Sequence, residues 1–337
     1  MAVSRLADLA QHAGVSEATV SRVLNDRPGV AQHTRKAVLT ALDVLGYERP
    51  SKLRRSSAGL VGLVVPELTN PIFPAFAQAV ETQLAAANFT PVLCTQVPGG
   101  VREDEYVEML LERGVASIIF ISGYHADTRA STERYTSLRE RGLPIALING
   151  WREDVVASFI SNDDVAGVQL AVRHLRDLGH TRIGLATGPN RYVPVQRKIQ
   201  GYERAMDELL PDAEQFVSTT HFSVEGGQAA GRNLLDEGVT GVVCGSDIMA
   251  LGVVRAVRQE GLRVPEDVSV IGSDDSQLIA FTDPPLTTVR QDVTAMSEAA
   301  VTAILEEIQG EEAVHREYLF APELILRSST GAVPGRP

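Results

Sequence analysis

The stretch best suited to chemistry lies near the start of the chain: Gly14-Val15-Ser16-Glu17-Ala18-Thr19-Val20-Ser21-Arg22-Val23-Leu24-Asn25. At helical spacing Val15, Val20 and Leu24 share one face, and Glu17, Ala18, Ser21 and Arg22 share the other. The outer face is short, polar and carries one guanidinium, the composition of a helix that enters the major groove of DNA. Ser16 is placed to cap the helix, because its hydroxyl can accept from the free amides of the first turn. Val15 and Val20 stand where a hydrophobic staple would fix the incoming chain.

Two further helices are needed to hold that stretch. One precedes it, with an apolar face through Leu6, Leu9, Ala10 and Ala13 and Ser4 as its cap; Gly14 then allows the tight turn of a helix-turn-helix. A third runs from about Gln32 to Leu45, with Val38, Ala41, Leu42 and Leu45 inward and Gly46 closing it. The expected unit is an all-α helix-turn-helix head over 1–46. Residues 47–59 are polar and basic with one large aliphatic side chain, Leu53, and read as a linker or hinge.

From Leu60 the pattern alternates apolar runs with amphipathic helical runs, which predicts an α/β body of two doubly wound parallel-sheet lobes. The boundaries expected are 60–158 with 291–321 for the first lobe and 159–290 with 322–330 for the second, then a disordered tail over 331–337. Ligands of such sheets bind beyond the carboxyl ends of the strands, so the expected site is the cleft between the lobes.

The 337 residues have a formal charge of −12, but residues 1–60 hold nine Lys/Arg against five Asp/Glu. The head is therefore +4 and the remainder −16, a basic module on an acidic body that should stay off phosphates. No run is long and apolar enough to span a membrane, the start lacks the apolar core of a secretion signal, and the two cysteines, Cys94 and Cys244, suit a reducing compartment. A cytoplasmic protein without cofactor or metal is expected. No dinucleotide fingerprint, P-loop or nucleophile elbow is present, and the histidines have no metal-ligand spacing, which argues against an enzyme. A secreted solute-binding protein would suit the body alone, and the basic helical head argues against it.

Several segments, in order, resemble the lactose/galactose-repressor (LacI/GalR) family. They include Leu9-Ala10, Ala13-Gly14-Val15-Ser16, Thr19-Val20-Ser21-Arg22-Val23-Leu24-Asn25, Leu45-Gly46-Tyr47, Asn70-Pro71, Gly179-His180, Asp247 with Ala250 and Gly252, and Val264-Pro265 through Asp274-Asp275. The resemblance covers nearly the whole chain. It implies a homodimeric repressor on a pseudo-palindromic operator, with a body like that of type I periplasmic sugar-binding proteins and a small-molecule effector between the lobes.

Carried onto this chain, the resemblance places Glu17, Ala18 and Arg22 at base edges. Arg22 can make a bidentate pair with guanine, Glu17 can accept from a cytosine amino group or simply favour the helix dipole, and Ala18 can touch a thymine methyl. Ser16, Thr19, Ser21, Asn25 and Thr34 suit phosphates. In the hinge, Leu53 is the expected minor-groove wedge, with Arg54 and Arg55 on phosphates or in that groove. The effector site implied comprises Phe73, Asn149, Arg197, Phe222, Asp247, Asp274 and Gln291. Phe73 could instead be core, and Asp247 could instead cap the helix starting at Ile248. Trp151, the sole tryptophan, lines the rim or lies on the surface. A sugar is the expected effector, with a purine or another small polar molecule as the alternative, and induction and co-repression both fit.

Overall fold

The computed structural model describes residues 5–25, 27, 29–47, 58–96, 100–311 and 314–333. It divides into two compact units, Met1–Ala58 and Gly59–Pro337.

The first unit is α1 (Arg5–Ala13), α2 (Glu17–Leu24) and α3 (Gln32–Val44). Ser16 Oγ accepts from the Thr19 amide at 3.2 Å, which is the expected cap. Gly14 turns the chain with φ +65°, a left-handed conformation that a side chain would strain. The core is Leu9, Ala10, Val20, Val23, Val38, Ala41 and Leu42. Three expectations change. Val23 joins the core, because a helix gripped by two others buries a wider arc than its apolar stripe. Leu45 falls beyond the end of α3 and is exposed. Tyr47, expected in the linker, belongs to the head: its hydroxyl donates to Asp8 Oδ2 at 3.2 Å, and the Arg5 guanidinium lies 4.8 Å from its ring centre. The aromatic ring supplies the closing apolar surface that Leu45 does not. Ser4, Leu53, Arg54 and Arg55 lie outside the described residues.

In the second unit the first lobe contains β1 (Gly59–Val65), α4 (Ile72–Ala86), β2 (Phe89–Thr95), α5 (Glu103–Glu112), β3 (Ser117–Ile121), α6 (Glu133–Glu140), β4 (Ile145–Ile148) and β5 (Ser158–Asn162). The second contains α7 (Asp164–Asp177), β6 (Ile183–Thr187), α8 (Val193–Leu209), β7 (Phe216–Thr219), α9 (Val224–Asp236), β8 (Gly241–Cys244), α10 (Asp247–Gln259), β9 (Ser269–Asp274) and β10 (Thr287–Arg290). The chain returns to the first lobe for α11 (Val293–Ile308) and β11 (Glu317–Phe320), then ends in the second with β12 (Glu323–Ile325). Among the described residues each sheet has six strands, ordered β11-β5-β4-β3-β1-β2 and β12-β10-β9-β8-β6-β7. Helices cover both faces of each sheet, so central strands such as β1, β3, β4 and β8 are apolar and largely buried, whereas the edge strands β2, β7, β11 and β12 are partly exposed. Among the described residues no helix is long and apolar enough to cross a membrane.

The lobe boundary differs from expectation. β5 pairs with β4 and β11, so the first lobe runs through Asn162 rather than 158. An apolar strand does not reveal which sheet it joins; the chain leaves the lobe only where the strand reaches the cleft. β12 is antiparallel to β10, because it enters its sheet from the cleft side. β10 is β-branched through Thr287-Thr288-Val289 and begins one residue after the pair Pro284-Pro285. The tail is ordered further than expected: the Gly331 amide donates to Ser269 Oγ at 3.0 Å and the Val333 amide to the Leu178 carbonyl at 3.1 Å.

Behind the carboxyl end of β3 lies a buried polar network. Glu103, fully buried in the first turn of α5, accepts from the Tyr124 amide at 2.9 Å, Tyr135 Oη at 2.5 Å and Gln96 Nε2 at 3.1 Å. Tyr135 Oη in turn accepts from the His125 amide at 2.8 Å. His125 Nε2 lies 3.0 Å from the Ile148 carbonyl, which can only accept, so Nε2 carries a proton. Burial, aided by the charge of Arg152, lowers the His125 pKa to about 4. Burial likewise raises the Glu103 pKa, against its hydrogen bonds.

Two predictions follow from this packing. Leu42→Ala should cost the head about 2–5 kcal/mol, as truncations in a closed core do, while leaving the melting transition of the body in place; calorimetry of the full chain reads both. The unfolded state protonates His125 near the ordinary histidine value of 6.5, whereas the native state resists until about 4. That group's contribution to stability is therefore full above 6.5 and falls by about 3 kcal/mol as the pH drops from 6.5 to 4. Buried carboxyls such as Glu103 act in the opposite sense, so the readout is the difference in urea midpoint between wild type and His125→Gln across that range. It should narrow on acidification, and parallel curves would refute the assignment.

Candidate functional site

On the head, α2 turns Glu17, Ala18 and Arg22 outward. All three are exposed, and the Glu17 and Arg22 side chains have no hydrogen-bonding partner among the described residues. The phosphate candidates are more committed. Ser16 Oγ lies 2.9 Å from Thr19 Oγ1. Asn25 Nδ2 donates to the Ser21 carbonyl at 2.8 Å, closing the end of α2, and Thr34 Oγ1 is 3.1 Å from His33 Nε2. A helix with its polar face open and its ends internally satisfied is a rigid reading head.

In the body a cavity of about 750 Å3 opens between the lobes. Thr128, Trp151, Arg152, Glu153 and Asp154 line it from the first lobe, and Val193, Gln196, Arg197 and Gln200 from the second. Its size is within the roughly 300–1,000 Å3 of small-molecule sites. Trp151 follows β4 and is 38% exposed, so it stands on the rim. Trp151 contributes an aromatic ring to the lining and Gln196 and Gln200 contribute amides, while Arg152 is held by Asp154 and the Asp127 carbonyl, so the lining joins one aromatic ring to polar groups.

The structure disperses the implied effector set. Arg197 alone of that set lines this cavity, and both its terminal nitrogens are held by Glu317 of β11, at 2.7 and 2.9 Å. Asp274 and Gln291 meet each other, Gln291 Nε2 donating to Asp274 Oδ1 at 2.8 Å. They line a separate polar pocket of about 10 Å3 with Asn162, Asp164 and Lys198, room for about one water. Asp274 ends β9 with φ +114°, and burial together with the nearby Asp247 charge raises its pKa well above the usual carboxylate range. Asn149 also has positive φ, +63°, at the end of β4. Phe222 follows β7 and packs on the second-lobe core, close over the Gly188 backbone. Phe73 packs against the first-lobe core at the start of α4.

Asp247 departs furthest from expectation. It is fully buried, accepting from Thr288 Oγ1 at 2.6 Å and the Ser276 amide at 2.7 Å. A Cβ at Gly272 would collide with its carboxylate, so glycine is required there. Burial pushes the Asp247 pKa up to about 6. The cap of α10 is Ser246, whose hydroxyl accepts from the Met249 amide at 3.4 Å. Asp247 thus neither caps the helix nor faces the cavity; it ties β10 and the loop after β9 to α10. Sequence position alone placed it at a strand end, where a ligand group and an internal tie look the same.

Residues missed by sequence reading are those of the lobe–lobe contact: Asp127 and Thr128 after β3, and Arg191 and Tyr192 before α8. The Thr128 amide and Oγ1 both donate to the Arg191 carbonyl at 2.8 Å, and Asp127 bridges Tyr192 in antiparallel β fashion. Nothing in local pattern marks residues far apart in sequence as partners.

Comparisons with known proteins agree with this architecture. Residues 5–50 match the family described as bacterial regulatory proteins, lacI family, and residues 172–330 match a periplasmic binding protein-like domain. The chain is 62% identical over 339 residues to an HTH-type transcriptional regulator in the aml 5′ region of Streptomyces limosus, covering 99% of this chain and 97% of that one. Among solved structures it resembles the transcriptional regulator CelR in complex with cellobiose, at 30% identity and TM-score 0.71 over 97% of this chain and 99% of that one. It also resembles the lac repressor dimer bound to operator, at 27% identity and TM-score 0.71 over 98% and 99%. Likeness of that extent, running through the reading helix and both lobes, establishes that this chain belongs to the lacI family and is a DNA-binding transcriptional regulator with an effector-binding domain.

Proposed function

We propose that the protein is a repressor that binds a pseudo-palindromic operator as a homodimer and is controlled by a sugar held between the two lobes. The observation that carries the sugar reading is the lobe-spanning cavity, which sets the Trp151 ring beside Gln196, Arg197 and Gln200. An aromatic ring against which a sugar can stack, with the side-chain amides of Gln196 and Gln200 in the same lining, suits a ligand rich in hydroxyls. The cellobiose held by CelR supports the same chemistry. A purine would also stack on Trp151 and is the second reading. A sugar that reached Asp274 and Gln291 would first have to part them.

On the DNA side, Arg22, Glu17 and Ala18 read base edges while Ser16, Thr19, Ser21, Asn25 and Thr34 set the helix against phosphates. Leu53, Arg54 and Arg55 would add minor-groove and phosphate contacts.

The second copy would pack on the outer surface of the second lobe. Leu278 and Phe281 are 75% and 84% exposed there, an apolar pair that a monomer would leave in water. Beside them Leu251, Arg255, Arg258 and Asp283 line a groove that carries both signs of charge, as a self-complementary two-fold contact requires.

Titration of Trp151 fluorescence and of operator binding with ribose, cellobiose, lactose and hypoxanthine tests the effector. A sugar should both perturb the fluorescence and change operator affinity, and by linkage the operator must change sugar affinity by the same factor. Response to hypoxanthine alone would replace the sugar by a purine. In the same assay Arg22→Ala should lose about 1–3 kcal/mol on the preferred operator and relax preference at one base pair. For the dimer, Phe281→Asp should shift the sedimentation coefficient to that of a monomer, and an unchanged dimer would place the interface elsewhere.

A further inference from the structure

We infer that Asp127 and Thr128 of the first lobe and Arg191 and Tyr192 of the second form a latch that holds the effector cleft closed, so that these residues set effector affinity without belonging to the base-reading or stacking machinery. The two segments are the loops that follow β3 and β6, the strand ends that face each other across the cleft. Their pairing is main chain to main chain as well as side chain to side chain. The Thr128 amide and hydroxyl share the Arg191 carbonyl, and Arg191 Nε stands 2.9 Å from Asp127 Oδ2. Arg191 is itself oriented: its Nη2 donates to Tyr192 Oη at 2.8 Å, and its guanidinium lies 4.8 Å from that ring's centre.

The first-lobe half of the latch is held rigidly. Arg152 Nη1 donates to the Asp127 carbonyl at 3.2 Å, and the Asp127 carboxylate accepts from the Arg129 amide at 3.0 Å. Behind it stands the buried Glu103–Tyr135–His125 network that fixes the loop from Gly123 onward. A loop anchored this way moves with its lobe, so parting the latch means parting the lobes. Thr128 also lines the main cavity together with Trp151 and Arg197, and Thr128 and Gln196 line as well a second cavity of about 310 Å3 with Asn190 and Arg191. The latch therefore borders both cavities. A ligand enclosed by the lobes gains from every contact that favours closure, since affinity scales with the population of the closed state.

Charge reversal tests this. Asp127→Arg and Arg191→Asp each set like charges face to face, and the double swap restores an opposite pair. Trp151, the sole tryptophan, reports the cleft directly. In the ligand-free full chain the single variants should raise acrylamide quenching of Trp151 about twofold by shifting the population towards the open state, and the double swap should return it to the wild-type value. Arg191→Ala and Thr128→Ala, which disturb folding less, should move it in the same direction by less. Quenching unchanged in the single variants, or not restored in the swap, overturns the latch. A second arm rests on the sugar reading above: cellobiose should bind the single variants about tenfold more weakly and the swap as wild type. Equal affinity across all variants would overturn the link to effector binding. Failure of cellobiose to bind even the wild type would count against the sugar reading, while the quenching arm would still decide the latch.

Discussion

In the body, the described chain passes from one lobe to the other only at the cleft: after β5, after β10 and after β11. Parallel strands all point their carboxyl ends the same way, so a chain leaving a lobe at a strand end must leave at the cleft. This one constraint explains why β5 finishes the first lobe, why β12 runs antiparallel, and why loops far apart in sequence face each other there. It also makes the crossings the natural pivot of any lobe motion, because they are the covalent links between otherwise separately packed cores. The crossings are knit together: the Asp163 amide donates to the Phe320 carbonyl at 2.9 Å.

Two buried carboxylates, Glu103 and Asp247, and the partly exposed Asp274 do much of the positioning around this cleft. Glu103 fixes the loop after β3, Asp247 ties α10 to β10 and the loop after β9, and Asp274 meets Gln291 at the β10 crossing. Burial raises the pKa of each. A buried carboxyl is costly unless its oxygens find donors, so each of these groups commits its neighbours to one arrangement. The contacts that span the lobes at the cleft include the Asp127–Arg191 and Arg197–Glu317 ion pairs and the bonds of Thr128 to the Arg191 carbonyl.

The head follows a different economy. Its small apolar core leaves nearly the whole outer face of α2 free, and its polar side chains are spent on caps and turns rather than on a buried network. Among the described residues of that face Arg22 is the one cation, so on the reading proposed above specificity would be multiplied by presenting two such helices at a fixed spacing.

The helix-turn-helix was legible residue by residue, because cap, staple, turn glycine and apolar stripe are all local signals. The two doubly wound lobes were legible because period and alternation are properties of short windows. The fates of Asp247, Arg197 and Tyr47 were not. Asp247 at a strand end could have met a ligand, and the fold met it instead with Thr288 and the Ser276 amide. Arg197 could have faced an open cleft, and β11 returned Glu317 to it from 120 residues away. Tyr47 looked like linker until Asp8 and Arg5 came beside it. Which sheet a strand joins, and which loop meets which across a cleft, depends on contacts of long sequence separation, and neither composition nor periodicity carries that information. The amino-acid sequence by itself therefore determined the helical head, with the exposed polar face of its second helix, and the alternation of strands and helices in the body, while the tertiary structure alone decided which polar groups are ties within the fold and which remain free to meet a ligand.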